Sequence, residues 1–500
     1  AISRGILIFV AVVGAMEAPR VAIVGSGIGG SSASVYLRRK LGHSSKIDVY
    51  EKDGHTCGRL GLIRVAGNEY NSGGCVIHPR NMHMVNLTKL AGMHKDEDGD
   101  DGDLLYIWDQ ITKEWHLRQT GYQFVDIIMM LWRYGFAPLS LENTVEDMLS
   151  DFDNIYDLQR KGEAYETVED LLRAMGGEKF VKMLTTPLGD YLIQQGISEP
   201  LLSDLAGAAM AVNYGQDIVD MHAFVGMVSL AGVQDGLFSI KEGNGHICGK
   251  LLDISDSNLK LNTEVLSIER KLDCPTGSRY IYEVKTKEST ESYDALILAT
   301  PLQLSGIKLI GFPEDTQMGK EGAYHRTVAT FVESHGVNPV YFGGGFKFGN
   351  PPEVLATTPS DQFTSVSPQD PTSTPVGQTN DDEDLNVYKV FSKEPLDSVQ
   401  IERLFGSEYG EVQVDDWLAY PSYKDFQTRN ITKLSLDGGA AAYISPMEWA
   451  ASAMEMSCIG AANAANLVSK ALEIEIQGEC QVEEETEETE ETDETEETEE

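Results

Sequence analysis

Arg20-Val21-Ala22-Ile23-Val24-Gly25-Ser26-Gly27-Ile28-Gly29-Gly30 is the stretch whose reading decides the fold of this 500-residue chain. An apolar run enters a glycine-rich turn, and a second strand-like run, Lys46-Ile47-Asp48-Val49-Tyr50, ends in Glu51. Strand, glycines, helix, second strand and acid, in that order, make a dinucleotide-binding unit. Gly25 permits the tight turn, Gly27 lets backbone amides approach a pyrophosphate, and Gly30 lets a helix from about Gly29 to Lys40 lie close to the sheet. Ser26, Ile28 and Gly29 complete the loop, and the helix N-terminus faces the negative phosphates. Glu51 stands 21 residues after Gly30, where a carboxylate takes both hydroxyls of an adenosine ribose, with Lys52 beside it.

The residues just beyond the second strand favour FAD over NAD. Cys57-Gly58-Arg59-Leu60 lies there, and Gly67-Asn68-Glu69-Tyr70-Asn71-Ser72-Gly73-Gly74 comes next. This resembles the second glycine motif of the large FAD family that includes amine oxidases and carotenoid desaturases. The resemblance makes Arg59 a bidentate phosphate ligand. It also makes Gly73-Gly74 the place where the chain passes close to the flavin ring.

The length implies two or three domains, and 41% hydrophobic residues are enough for a large interior. A formal net charge of -40 argues against nucleic-acid binding, because phosphate backbones are met with Lys and Arg. Residues 483–500 carry 13 acids and 5 threonines and read as the self-repelling core of a disordered acidic tail over 476–500. Arg4 followed by Gly5-Ile6-Leu7-Ile8-Phe9-Val10-Ala11-Val12-Val13-Gly14-Ala15 is too short to span a bilayer but fits a signal-peptide core within residues 1–18. A buried first strand is the competing reading. The sequons Asn86-Leu87-Thr88 and Asn430-Ile431-Thr432 are compatible with a secretory route. Six cysteines, at 57, 75, 248, 274, 458 and 480, contain no CxxC pair, so they form neither a disulfide framework nor a zinc site, and any bridge among them cannot be assigned. The acidic run 96–103 fails the calcium-loop pattern at Asp101 and Ile107 and reads as a solvated loop, so no metal site is expected.

Apolar residues at Phe124, Ile127, Ile128, Leu131 and Trp132 have helical spacing, Thr167 opens a second helix that Gly176-Gly177 closes, and Ser198-Glu199-Pro200 starts a third. A mostly helical insert is therefore predicted over 96–234. Residues 258–265 and 293–301 read as strands that return the chain to the nucleotide sheet. Ser445 and Pro446 predict a helix start leading directly through Ala450 to Ser457, aimed at the flavin N1–C2=O edge. The fold class is α/β, a Rossmann-like FAD-binding domain with an inserted α+β substrate domain. The FAD-binding parts are 19–95, 235–305 and 433–475, and the substrate parts are 96–234 and 306–432.

Gly73-Gly74-Cys75-Val76-Ile77-His78-Pro79, Asn81 to Met84, Arg133 to Phe136, Val212-Asn213-Tyr214-Gly215-Gln216, Ala223 to Gly226, Trp417 to Pro421 and Ala450 to Ser457 together resemble the prenylcysteine oxidase family. The likeness runs in order from Arg20 to about Lys470. It implies an FAD thioether oxidase that converts farnesyl- or geranylgeranyl-cysteine and O2 to cysteine, a prenyl aldehyde and hydrogen peroxide. Such an enzyme needs no nucleic acid and no transmembrane span, and peripheral membrane contact is compatible with its lipidic substrate. The implied compartment is the secretory pathway, in a lysosome or vacuole or outside the cell.

The resemblance also places residues. Val265, Glu448 and Met454 join the cofactor set, and His78 becomes the candidate that positions water or assists hemithioacetal collapse, against a structural role. Ile77, Asn213, Tyr214 and Gln216 become substrate-side candidates, against a polar turn between helices. Cys57 stands where the family pattern has glycine, and Ser445-Pro446-Met447-Glu448-Trp449 where it has Asn-Gly-Ile-Glu-Cys. Pro446 removes a backbone donor near the flavin. Two other readings stay open, an FAD oxidase or desaturase for another isoprenoid or amine, and a flavin-binding paralogue without turnover.

Overall fold

A computed structural model describes residues 18–96, 105–233, 236–273, 280–313, 319–344, 353–356, 362–373 and 385–477. The apolar run of residues 1–17, the centre of the acidic run and the tail beyond Gln477 lie outside the described residues. Arg20–Val24 is the central strand of a five-stranded parallel sheet, flanked by Ala295–Leu298 and Lys46–Tyr50, with Ala441–Tyr443 and Asn258–Lys260 at the edges. Val21 pairs with Ala295 on one side and Ile47 on the other. Such strands are apolar along their whole length because helices cover the sheet. The helix Ile28–Leu41 packs on the long helix Met454–Gln477, and small residues on both allow close approach: Ser32 Oγ lies 3.3 Å from Cys458 Sγ.

A second sheet, of four strands, joins Thr290–Tyr293, Tyr280–Lys285, Ser267–Leu272 and Lys308–Ile310 in that order. The nucleotide side of the molecule thus runs past residue 305. A third sheet has seven strands in the order Tyr409–Pro421, Tyr324–Ser334, Asn386–Ser392, Ser365–Gln369, Glu353–Ala356, Leu105–Asp109 and Glu114–Arg118. The insert after residue 96 therefore opens with a hairpin that joins this sheet, and its helices follow from Gln123 to Ala231 around a core of their own, with Leu171, Phe180 and Phe224 fully buried. Thr167 caps the helix Val168–Gly176 by accepting the Asp170 amide, as its sequence predicts.

Two expected elements differ. The strand predicted over 258–265 stops at Lys260, because Asn262 takes φ 53° and the amides of Asn262 and Thr263 turn to the carbonyls of Asp53 (3.0 Å) and Glu51 (2.7 Å). The helix predicted from Ser445 through Ser457 is broken. Met447–Ala450 makes a single turn, Ala451 is extended at φ -162°, and the long helix begins at Met454. Side chains from elsewhere account for the break, since the carbonyls that would carry the helix onward are taken. Tyr423 donates to Glu448 O (2.8 Å), His222 to Trp449 O (3.2 Å) and Tyr214 to Ser452 O (3.0 Å).

Candidate active site

At the nucleotide end, the glycine loop and Glu51 are held together. One Glu51 oxygen accepts the Ser26 amide (3.0 Å) and hydroxyl (2.7 Å), and the other accepts the Asp53 amide (3.0 Å). A carboxylate accepts about four hydrogen bonds, so capacity remains for a ribose hydroxyl. A Cβ on Gly30 would lie 1.9 Å from Gly25 O, and Gly25 itself has φ +104°, so both positions exclude a side chain. Gly27 faces open space: an added Cβ would meet nothing within 4 Å. The helix that begins there has no side-chain cap and no acid in its first turn, which leaves its leading amides to an anion. The loop therefore fits a dinucleotide pyrophosphate.

Cys57 closes the other side of this loop. Its amide donates to Ser26 O (3.2 Å), it has φ 76°, and its sulfur is bonded to Cys248 on the helix Ile247–Ile254. The residue that replaces the expected glycine thus keeps a glycine-like backbone and adds a covalent tie across 191 residues. Gly58 continues the turn at φ 53°, and Leu60 is buried with Ile28 and Ile77. Lys52 points outward to Asp53 (3.2 Å), and Val265 is buried in the core of the nucleotide sheet.

The second wall brings together residues far apart in sequence. The two terminal nitrogens of Arg59 donate to the two carboxylate oxygens of Glu448, each at 2.7 Å, and Arg59 also reaches Ala419 O (3.0 Å). Arg59 is thus committed to a carboxylate rather than standing free. The Tyr324 hydroxyl adds a third bond to Glu448 (3.2 Å). A Cβ on Gly73 would lie 2.6 Å from Arg59 O and 3.2 Å from the Trp417 ring. One on Gly74, at φ +57°, would meet Leu60 at 2.2 Å and Met454 Sδ at 3.9 Å. Arg59, Leu60, Gly73, Gly74, Trp417, Glu448 and Met454 therefore share one site.

Tyr214 and Gln216 reach the same wall from the helical insert. The Tyr214 ring stands edge-on to Tyr420 (5.1 Å) and Tyr423 (5.6 Å), and Gln216 bonds Pro421 O (3.0 Å) and the Tyr423 amide (2.8 Å). Asn213 instead ties two helices through Ser229 (3.0 Å to Oγ). Ile77 is fully buried and exchanges backbone bonds with Phe238 (2.8 and 3.0 Å). His78 Nδ1 accepts the Arg80 amide (3.1 Å), which places the ring proton of the neutral form on Nε2. His222, with Tyr324 and Tyr423, belongs to the wall without any local sequence signal, whereas Tyr420 falls within the stretch Trp417 to Pro421 that carries the resemblance. Burial pulls the His222 imidazole down to about 3, against the help of the Trp449 carbonyl.

Against known families, residues 117–479 match the prenylcysteine lyase model, and residues 23–88 match the NAD(P)-binding Rossmann-like domain. The chain belongs to the prenylcysteine lyase family. It is 37% identical over 462 residues to prenylcysteine oxidase 1 of Homo sapiens, covering 90% of this chain and 88% of that protein. To the Homo sapiens protein called prenylcysteine oxidase 1-like it is 31% identical, with 90% of each covered. This member of the prenylcysteine lyase family shares its fold with solved amine oxidases. A putrescine oxidase double mutant shares the fold with a TM-score of 0.58 at 16% identity, covering 90% of this chain and 99% of that one. Cyclohexylamine oxidase from Brevibacterium oxydans has a TM-score of 0.58 at 14% identity, over 91% and 99%.

Proposed function

We propose that this chain is an FAD-dependent oxidase of free prenylcysteine, cleaving the thioether of farnesyl- or geranylgeranyl-cysteine to cysteine, a prenyl aldehyde and hydrogen peroxide. The observation that carries this reading is the extent of the family match, which takes in the helical insert, most of the seven-stranded sheet and the C-terminal parts of the nucleotide fold, with relatives aligned over 90% of the chain. FAD, when bound, supplies a two-electron acceptor that O2 can reoxidise. The residues that would hold it are the Gly25–Gly30 loop and Glu51 at the adenosine end, and Gly73, Gly74, Leu60 and Met454 at the other, with the Arg59–Glu448 pair beside them.

The chain's own task is orientation and exclusion of bulk water. Oxidation at the prenyl C1 leaves a positive charge shared by sulfur and the allylic double bond, so no strong protein base is needed there. Water then adds at C1 and the hemithioacetal collapses. Trp417 and Tyr420, which are half-buried, offer aromatic surface suited to a prenyl chain, with Tyr214 and Tyr423 buried behind Tyr420. His78, whose Nδ1 accepts the Arg80 amide, is the candidate for the later proton transfer. Peroxide release on adding farnesylcysteine, with prenyl aldehyde recovered in equal amount, tests this reading. Peroxide from amines alone would move the protein to the amine oxidase branch.

Peripheral contact with lipid is part of the same proposal. In and beside the helix Gln123–Tyr134, Phe124, Trp132 and Phe136 are 76%, 87% and 75% exposed, and Ile127, Ile128 and Leu131 lie open beside them. Both charges of that helix are occupied: Asp126 accepts the Thr120 amide and hydroxyl (2.8 Å each), and Arg133 pairs with Asp204 (2.6 Å). An exposed apolar helix with its charges tied down suits a lipid surface. Among the described residues no single helix is long and apolar enough to cross a membrane. The Cys57–Cys248 bridge and the apolar run Gly5–Ala15 support a secretory destination, lysosome, vacuole or cell exterior, because disulfides persist in oxidising compartments.

A further inference from the structure

Lys389 lies on the strand Asn386–Ser392 and is only 3% exposed. Alternation along the strand sets it with Val387 and Phe391, whose face meets the hairpin Leu62–Asn71, and opposite to Tyr388 and Val390. Its ammonium donates to Cys75 Sγ (3.5 Å) and stands 5.2 Å from the centre of the Phe391 ring. Cys75 directly follows Gly73-Gly74, which pack against Arg59, Trp417, Leu60 and Met454. The buried cation is therefore aimed at the loop where cofactor and substrate elements converge.

Among the described residues no carboxylate pairs with Lys389. Arg59, by contrast, has Glu448, and Arg429 donates to the carbonyls of Glu321 (3.0 Å), Ser422 (2.8 Å) and Lys424 (2.7 Å), although its Nη1 is left without a partner among the described residues. Glu333, on the neighbouring strand, accepts the Glu411 amide (3.0 Å). A thiol is a weak acceptor, and an ammonium taken from water needs an anion. We infer that Lys389 binds the α-carboxylate of the substrate's amino-acid head group. The inference rests on the prenylcysteine reading and deepens it: Lys389 would make the site select the free amino acid over its ester or a peptide, in which that carboxylate is blocked.

Binding to the FAD-loaded full chain, measured with unreactive S-dodecylcysteine and its methyl ester, tests this without turnover. The unmodified protein should bind the acid more tightly than the ester by roughly ten- to hundredfold, the worth of a charge-assisted bond. Lys389→Met should bring that ratio close to one by weakening the acid alone, and Lys389→Arg should keep most of it. Equal binding of acid and ester by the unmodified protein overturns the inference. So does a ratio that survives Lys389→Met, or a loss shared equally by both ligands. If the unmodified protein binds neither analogue and leaves farnesylcysteine unoxidised, the prenylcysteine reading itself falls. An oxidised farnesylcysteine with no acid preference sinks only the role of Lys389.

Discussion

Arg59 and Glu448 meet as a two-point ion pair across 389 residues of sequence, nitrogen to oxygen at 2.7 Å on both sides. Burial works against the Arg59 charge, but the Glu448 carboxylate more than offsets it and holds the guanidinium above its ordinary value. The pair joins the loop after the second nucleotide strand to the single turn Met447–Ala450, and so sets the width of the site between them. Glu448→Gln should destabilise the fold by about 2–3 kcal/mol in urea denaturation. That is less than a fully buried pair would lose, because the Arg59 side chain is 34% exposed. FAD content on purification should fall with it, and unchanged stability and content would show that the pair is idle.

Glu51→Ala addresses the other end of the nucleotide. It removes the acceptor of the Ser26 amide and hydroxyl along with the partner for ribose. Loss of one charge-assisted bond is worth about 1.5–3 kcal/mol, so FAD should bind stripped protein roughly ten- to hundredfold more weakly in a fluorescence titration. An unchanged affinity would place the ribose elsewhere.

The glycine loop and its acid were legible because each residue does its work within a single stretch of chain, where local rules of turn and helix apply. Arg59 was legible as a site residue and misread in its partner, since Glu448 arrives from the far end of the sequence. The break at Ala451 was hidden for the same reason, because Tyr214, Tyr423 and His222 decide it from three separate elements. Strand Leu105–Asp109 was missed because its partner Glu353–Ala356 lies far along the chain, and Glu114–Arg118 joins the sheet only as the edge strand paired with Leu105–Asp109. Cys57 carried a signal, a departure from glycine, but the bridge to Cys248 needed coordinates.

His222 makes a prediction about acid. Its folded-state value of about 3 lies below the ordinary 6.5, so between these limits the unfolded chain binds the proton and the folded chain does not. Stability from this residue is fully present above pH 6.5 and is lost as pH falls toward 3. From pH 7 to pH 5 that loss amounts to about 2 kcal/mol. His222→Asn should lower stability at pH 7 but flatten the decline by that amount in denaturation curves at the two pH values. An equally steep decline would assign the acid sensitivity to other groups.

For the exposed helix, Phe124→Glu with Trp132→Glu should reduce sedimentation with neutral phosphatidylcholine vesicles at least tenfold, since each aromatic buried in lipid contributes about 1.5–3 kcal/mol. Anionic vesicles should bind the unmodified protein less well than neutral ones, because the chain carries a net charge of -40. Sedimentation that ignores both changes would remove the lipid contact.

The central claim is the substrate, and anaerobic mixing of the FAD-loaded protein with farnesylcysteine tests it most directly. Sulfur and the allylic double bond share the charge that oxidation creates, whereas saturated S-dodecylcysteine offers comparable apolar burial without the allylic part. The account predicts that the flavin absorbance bleaches fast with farnesylcysteine, leaving prenyl aldehyde and cysteine, and stays almost unchanged with the bound saturated analogue. Bleaching by simple amines with none by farnesylcysteine would contradict it.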